Sequence, residues 1–280
     1  MPTLSYDVYV APSIPTTIPD LPPDLERRWW SPISSTLISG ESDAVLVDAL
    51  MTVEQARDLA DWVAASGKNL TTIYVTHGHG DHWFGLATLL ERFPRARAIA
   101  TPRVVAHARQ QCAPEFVESF WKARFPGQIP DRFVLPEPLV RDSFEIEGEE
   151  IRIVELGHTD TDDTTALHVP SIGLVVAGDA AYNDVHLYLA ESPAEARKEW
   201  ISALETLAAL APTAVVAGHK NAARGDLPAI IEETKQYIHD FEAMAASTST
   251  TLELYHRLLE AHPHRVNRGA AWGSARSVKG

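Results

Sequence analysis

Thr76-His77-Gly78-His79-Gly80-Asp81-His82 crowds three imidazoles and a carboxylate into six residues, directly behind the apolar run 71–75. Neutral imidazole suits zinc, iron or copper, and an adjacent carboxylate adds the negative charge a divalent ion needs. Gly78 and Gly80 let the segment turn sharply. A solvated histidine-rich turn is the simpler alternative, but the setting of strand before and helix after argues against it.

Outward from this cluster the same arrangement recurs. His158 follows a strand expected to end at Leu156, Asp179 follows one ending at Ala177, and His219 follows one ending at Ala217, each beside a glycine. Taken singly, these are ordinary capping, core or turn residues. Four strand ends that each release His or Asp next to Gly converge on one sheet edge, where open α/β architectures place their sites.

Short apolar strands alternate with helical patterns through most of the chain, the mark of a sheet covered by helices. Strands are expected at 35–38 and 44–47, joined by the turn Gly40-Glu41-Ser42-Asp43, and again at 71–75, 143–146, 151–156, 164–169, 174–177 and 214–217. Helices are expected at 53–65, from about Asp81 to Arg92, at 102–124, from a Ser192-Pro193-Ala194-Glu195 start to about Leu210, from a cap at Asp226, and at 252–261. The Pro-rich stretch 125–138 reads as a long loop over a site. Residues 263–280 carry Arg265, Arg268, Arg276 and Lys279 without an acid, and disorder is the simplest expectation there. The chain reads as one domain, 1–280, with its core at about 34–220 and C-terminal helices at about 226–262.

Composition narrows the function classes. The 280 residues are 45% hydrophobic, and 24 Lys plus Arg stand against 38 Asp plus Glu, a formal charge of −14. Such a surface repels phosphate backbones, so nucleic acid is not an expected partner. No apolar run approaches the roughly eighteen residues of a membrane span, and the opening lacks the pattern of a secretory signal, so a cytoplasmic location is expected. Cys112 is the one cysteine and has no internal disulfide partner. Stability must come from the core and from metal.

The order His-x-His-x-Asp-His, Gly-His-Thr, Gly-Asp, Gly-His, spread over about residues 34–220, resembles the metallo-β-lactamase fold superfamily. The resemblance implies an α/β fold, the αβ/βα four-layer sandwich of that type, here with an added C-terminal helical segment. It implies two divalent metal ions, zinc by default with iron or manganese as alternatives: His77, His79 and His158 around one, Asp81, His82 and His219 around the other, and Asp179 bridging both. Water between two cations about 3.5–4 Å apart loses its proton near neutral pH and becomes a nucleophile. Asp81 would also carry a proton to the leaving group. The implied activity is hydrolysis of a small lactone, ester or thioester. The β-lactamases of this fold have cysteine or serine where Asp179 stands, which favours the lactonase, thioesterase and glyoxalase II branches. The alternatives are a mononuclear-iron oxidoreductase like the sulfur dioxygenases of this fold, a β-lactam hydrolase and a non-catalytic binding scaffold.

Tyr182 stands three residues after Asp179, the spacing at which acyl-homoserine lactonases of this fold place a tyrosine on the substrate carbonyl. Trp83, Phe84, Trp121, Phe125 and His186 are expected around a small-molecule substrate, with Trp29 and Trp30 at the entrance. Phe116 and Phe120, spaced i and i+4, are expected in the core. Asp160, Asp162 and Asp163 add negative charge near the metals. The helical C-terminus offers a surface for a homodimer.

Overall fold

A computed structural model describes residues 4–280. Successive strand residues face opposite sides of a sheet, and when both faces are covered every position becomes apolar. In β2 (Ile33–Ser39) Leu37 enters one core and Ile38 another, and β3 (Asp43–Val47) divides Leu46 from Val45 and Val47. Tyr74 of β4 (Asn69–Tyr74) joins Ile38, Val45 and Val47, while Ile73 joins Leu37 and Leu46. The C-terminal half behaves alike. Leu174 and Val176 of β10 (Leu174–Asn183) and Val216 of β11 (Ala214–Lys220) enter the core that holds Ile38, while Val175, Ala177, Val215 and Ala217 turn to a third. The shared core thus separates two half-sheets. The outer cores lie under α1 (Val53–Ala65) and α2 (Leu86–Arg92) on one side, and under α5 (Ala194–Ala209), α6 (Ala229–Ser247) and α7 (Thr251–Ala261) on the other. This is the layered α/β sandwich the motifs implied.

The strand order is β6 (Glu137–Pro138), β5 (Arg97–Ala100), β4, β3, β2, β11, β10, β9 (Thr164–Val169), β8 (Glu149–Gly157) and β7 (Ser143–Ile146). An additional strand, β1 (Ser5–Ala11), lies antiparallel on β2 in the lead-in, where no strand was expected. The halves meet where β2 and β11 touch, through the register pair Ile33 and His219.

Several helices differ from expectation, each for a local reason. The segment after Asp81 is a 3₁₀ turn, Gly80–His82, and α2 waits until Leu86. Between them Gly85 lies against the Ala49 carbonyl so closely that a Cβ would sit 2.0 Å from its oxygen. The helix expected at 102–124 breaks into α3 (Pro102–Gln111) and α4 (Pro114–Phe116), which runs into a π turn at Val117–Lys122. Pro114 forces the break, because a residue before proline avoids helical angles and Ala113 is extended. Stretch 125–138 is not a lid: Phe125 and Ile129 are buried in the first outer core, and Phe133 packs on Trp83 and Phe84. Pro193 rather than Ser192 precedes α5, and Ser192 Oγ donates to the Thr159 carbonyl. Asp226 does not cap α6; it pairs with the Lys220 ammonium.

The basic tail is folded, as α8 (Arg268–Lys279). Ala270, Ala271, Ser274 and Ala275 form its buried face. Its charges meet the acidic lead-in, Arg268 with Asp24 at 2.7 Å and Arg276 with Asp20 at 2.6 Å. Among the described residues no helix is long and apolar enough to cross a membrane.

Candidate metal centre

Each strand of the two half-sheets that ends near the seam delivers a polar side chain to it. Asp48, just past β3, takes a left-handed backbone with φ 63°, a region aspartate tolerates better than most residues. Its carboxylate accepts from the Thr76 N–H, the Thr76 hydroxyl and His82 Nδ1, all at 2.9 Å. With its proton directed at Asp48, Thr76 Oγ1 accepts from His77 Nδ1 at 2.9 Å. His219 Nδ1 donates to the Pro32 carbonyl at 2.9 Å. In the neutral ring these three contacts set one tautomer, the one that leaves Nε2 as a lone pair.

Those lone pairs converge. His77, His79, Asp160 and Asp179 form one group of donors, and Asp81, His82 and His219 a second; within each group the ligand atoms lie within 4.8 Å of one another. Asp179 reaches both, with Oδ1 3.3 Å from His82 Nε2 and Oδ2 3.1 Å from His219 Nε2. Gly218 makes room for it, since a Cβ there would stand 2.1 Å from Asp179 Oδ1. Asp81 Oδ2 lies 3.6 Å from His219 Nε2.

Electrostatics and hydrogen bonding both call for a cation here. Burial, with His82 beside it, pushes His77 well below the ordinary histidine value, which keeps it neutral and able to ligate. Burial would lower His79 and His82 too, but Asp160 and Glu191 outweigh it at His79, and Asp179, Asp81 and Asp48 at His82. Both imidazoles are held well above the usual range. Burial would raise Asp179, yet His219 and His82 keep it well below the usual carboxylate value. The buried carboxylates therefore demand positive charge. His77 Nε2, His82 Nε2 and Asp179 Oδ1 are buried without hydrogen-bond partners, an arrangement that costs about 1–3 kcal/mol per group unless something ligates it. Four imidazoles and three carboxylates suit two divalent ions in charge and in donor type.

One expected ligand lies elsewhere. His158 is half-buried and both its ring nitrogens are engaged, Nδ1 2.7 Å from Asp162 Oδ1 and Nε2 3.0 Å from Ser192 Oγ. Asp160 takes the place it was expected to fill, with Oδ2 2.9 Å from His79 Nδ1. The opposite edge of His79, Nε2, lies 3.3 Å from Glu191 Oε2.

Beside the donors opens a cleft. Trp121 and Tyr182 line it as expected, and so do Trp29, Trp30, Phe116 and Phe120. Phe116 and Phe120 are thus cleft residues rather than purely core. Trp83, Phe84 and Phe125 are fully buried in the first outer core and do not reach the cleft. Trp83 instead pins the motif loop, its indole donating to the Gly78 carbonyl at 2.8 Å. His186 is also remote, buried with Nδ1 3.0 Å from the Tyr237 hydroxyl. The Tyr182 hydroxyl donates to Asp179 Oδ2 at 3.1 Å. Asp48, Glu191, Tyr188 and Asn267 had no expected role at the site; Asp48 carries the same strand-end signal as the ligands.

Residues 28–219 match the family described as the metallo-beta-lactamase superfamily. An uncharacterized protein of Bacillus subtilis (strain 168), YobT, is 33% identical over 72 residues, a match covering 26% of this chain and 30% of that one. The metallo-beta-lactamase family protein of Thermus thermophilus has a similar structure, with TM-score 0.63 and 22% identity over 97% of this chain and 91% of that chain. A metallo-beta-lactamase from Pontibacter korlensis gives TM-score 0.62 and 15% identity over 85% of this chain and 99% of that chain. At these identities the structural likeness is one of fold.

Proposed function

Because the chain belongs to the metallo-beta-lactamase superfamily, we propose that it is a metal-dependent hydrolase that cleaves a small lactone, ester or thioester with two divalent ions, zinc by default, held at this centre. The observation that carries the reading is Asp179, which stands within 3.3 Å of His82 and 3.1 Å of His219 while belonging to the His77 group. Bound ions would bring the pKa of water toward neutrality and draw electron density from the scissile carbonyl.

The protein's own groups do the rest. Asp48, Thr76 and the Pro32 carbonyl hold His82, His77 and His219 in the ligating tautomer. Burial and Asp179 keep the Tyr182 phenol well above its ordinary value, so it stays protonated, and its one proton, directed at Asp179 Oδ2 in this structure, turns to the substrate carbonyl once substrate is bound. Asp81 holds the proton released by the attacking water, at Oδ1, and passes it to the leaving atom. Trp29, Trp121, Phe116 and Phe120 give the substrate an apolar wall that excludes bulk water.

Metal-reconstituted protein is assayed against lactones, thioesters, nitrophenyl esters and phosphodiesters, with ion content measured alongside. Turnover of the carbonyl substrates that disappears with the metal, and that His77→Ala and Asp179→Ala abolish together with metal binding, is expected. Turnover that persists in either variant would refute the assignment.

A further inference from the structure

The lead-in reaches into the centre at one atom pair. Trp30 Nε1 donates to Asp81 Oδ2 at 2.8 Å. That oxygen also faces the second donor group, 3.6 Å from His219 Nε2 and 3.9 Å from His82 Nε2. A carboxylate oxygen has lone pairs for two partners, so the indole can occupy one and leave the other toward the imidazoles. We propose that Trp30 is a positioning residue for Asp81, fixing the carboxylate so that the second ion, and not the first, is bound tightly. This rests on the two-ion reading above.

Trp30 is itself fixed. Its ring meets Trp121 edge-on at 5.7 Å and Phe125 at 5.3 Å, and its backbone N–H donates to the Ile14 carbonyl at 2.8 Å. The neighbouring residues are anchored from the far end of the chain: Arg28 donates to the Gly269 carbonyl at 2.7 Å, and Asn267 donates to Ser31 Oγ at 2.5 Å. A held donor costs little entropy on aligning its acceptor, whereas a free carboxylate must be ordered by the ion. Partners that orient metal ligands typically change metal affinity by about 10- to 100-fold. First-group donors have other orienters, Thr76 for His77 and Glu191 for His79. The effect therefore belongs to the Asp81 side.

Trp30→Phe keeps the ring packing and removes the N–H. Zn²⁺ is titrated into metal-free full-length protein against a chromophoric chelator, for wild type, Trp30→Phe and Phe125→Leu. Phe125→Leu disturbs the same aromatic packing without touching Asp81. The expected result is a second dissociation constant raised about tenfold in Trp30→Phe, with the first unchanged and both unchanged in Phe125→Leu. Equal weakening of both ions in Trp30→Phe, or none, overturns the proposal. A wild-type chain that takes up fewer than two ions overturns the two-ion reading and this proposal with it, a result read from the wild-type titration alone.

Discussion

His158 and Asp160 are two residues apart and would share a face if β8 simply continued, so alternation gives no reason to choose between them. The chain does not continue. Gly157 adopts φ 72°, the Thr159 N–H donates to the Thr161 carbonyl at 2.9 Å, and Asp163 adopts φ 60°. This turn gives His158 to Asp162 and Ser192 and gives Asp160 to His79. The motif spacing around His77 was legible because its ligands are packed into six residues of one local turn. The position after β8 was not, because its direction depends on a turn tied by Ser192 from elsewhere in the chain. Asp160→Ala removes a buried carboxylate from the first group and should cost most of the metal and the activity. His158→Ala, losing only contacts outside both groups, should keep both. Metal content of the two purified variants distinguishes them, and the reverse pattern would make His158 the ligand.

At the scale of elements, strands were easier to read than helix ends. Both sheet faces are covered, so β3 from Ala44 to Val47, β10 from Leu174 to Ala177 and β11 from Ala214 to Ala217 are unbroken apolar runs that stand out in the sequence. Helix α8 gives no such signal. Its buried face is made of Ala270, Ala271, Ser274 and Ala275, and its ion pairs reach Asp20 and Asp24 across almost the whole chain. Such small side chains carry little apolar area to mark a buried helix, and long-range partners are invisible to any local window. Ser274 is the tie that can be tested. Buried in α8, it accepts from the Leu189 N–H at 2.9 Å and donates to the Leu187 carbonyl at 3.1 Å. Ser274→Ala orphans a buried backbone donor and should lower unfolding free energy by about 1–3 kcal/mol. Exposed Ser277→Ala should stay within about 0.5 kcal/mol. Denaturant midpoints measure both, and equal small losses would show α8 docking without this tie.

The whole molecule joins two half-sheets across the pair Ile33 and His219, and the donor groups lie at that junction. Convergence of strand ends on one edge was readable because it follows from α/β architecture in general. How the C-terminal helices close over the second half was not, and they bury a histidine whose titration the fold must resist. His186 is pushed down to about 3 by burial, with Arg265, His262 and Arg268 adding positive charge around it, and Tyr237 of α6 meets its ring. In the unfolded chain it titrates near the ordinary value of about 6.5. Between those values the unfolded state binds more protons, so the contribution of neutral His186 is complete above about pH 6.5 and is lost as pH falls toward 3. At about pH 5 the loss amounts to about 2 kcal/mol, one and a half units at about 1.4 kcal/mol each. His186→Asn keeps a polar atom near the Tyr237 hydroxyl and cannot take up the proton. Its unfolding free energy should therefore fall less than that of the wild type between about pH 7.5 and 5, by about that 2 kcal/mol. Other groups titrate in both proteins and cancel in the difference. Parallel pH curves for the two would mean that His186 is solvated in the folded protein, and that α6 and the segment leading to α8 do not seal this half of the sandwich.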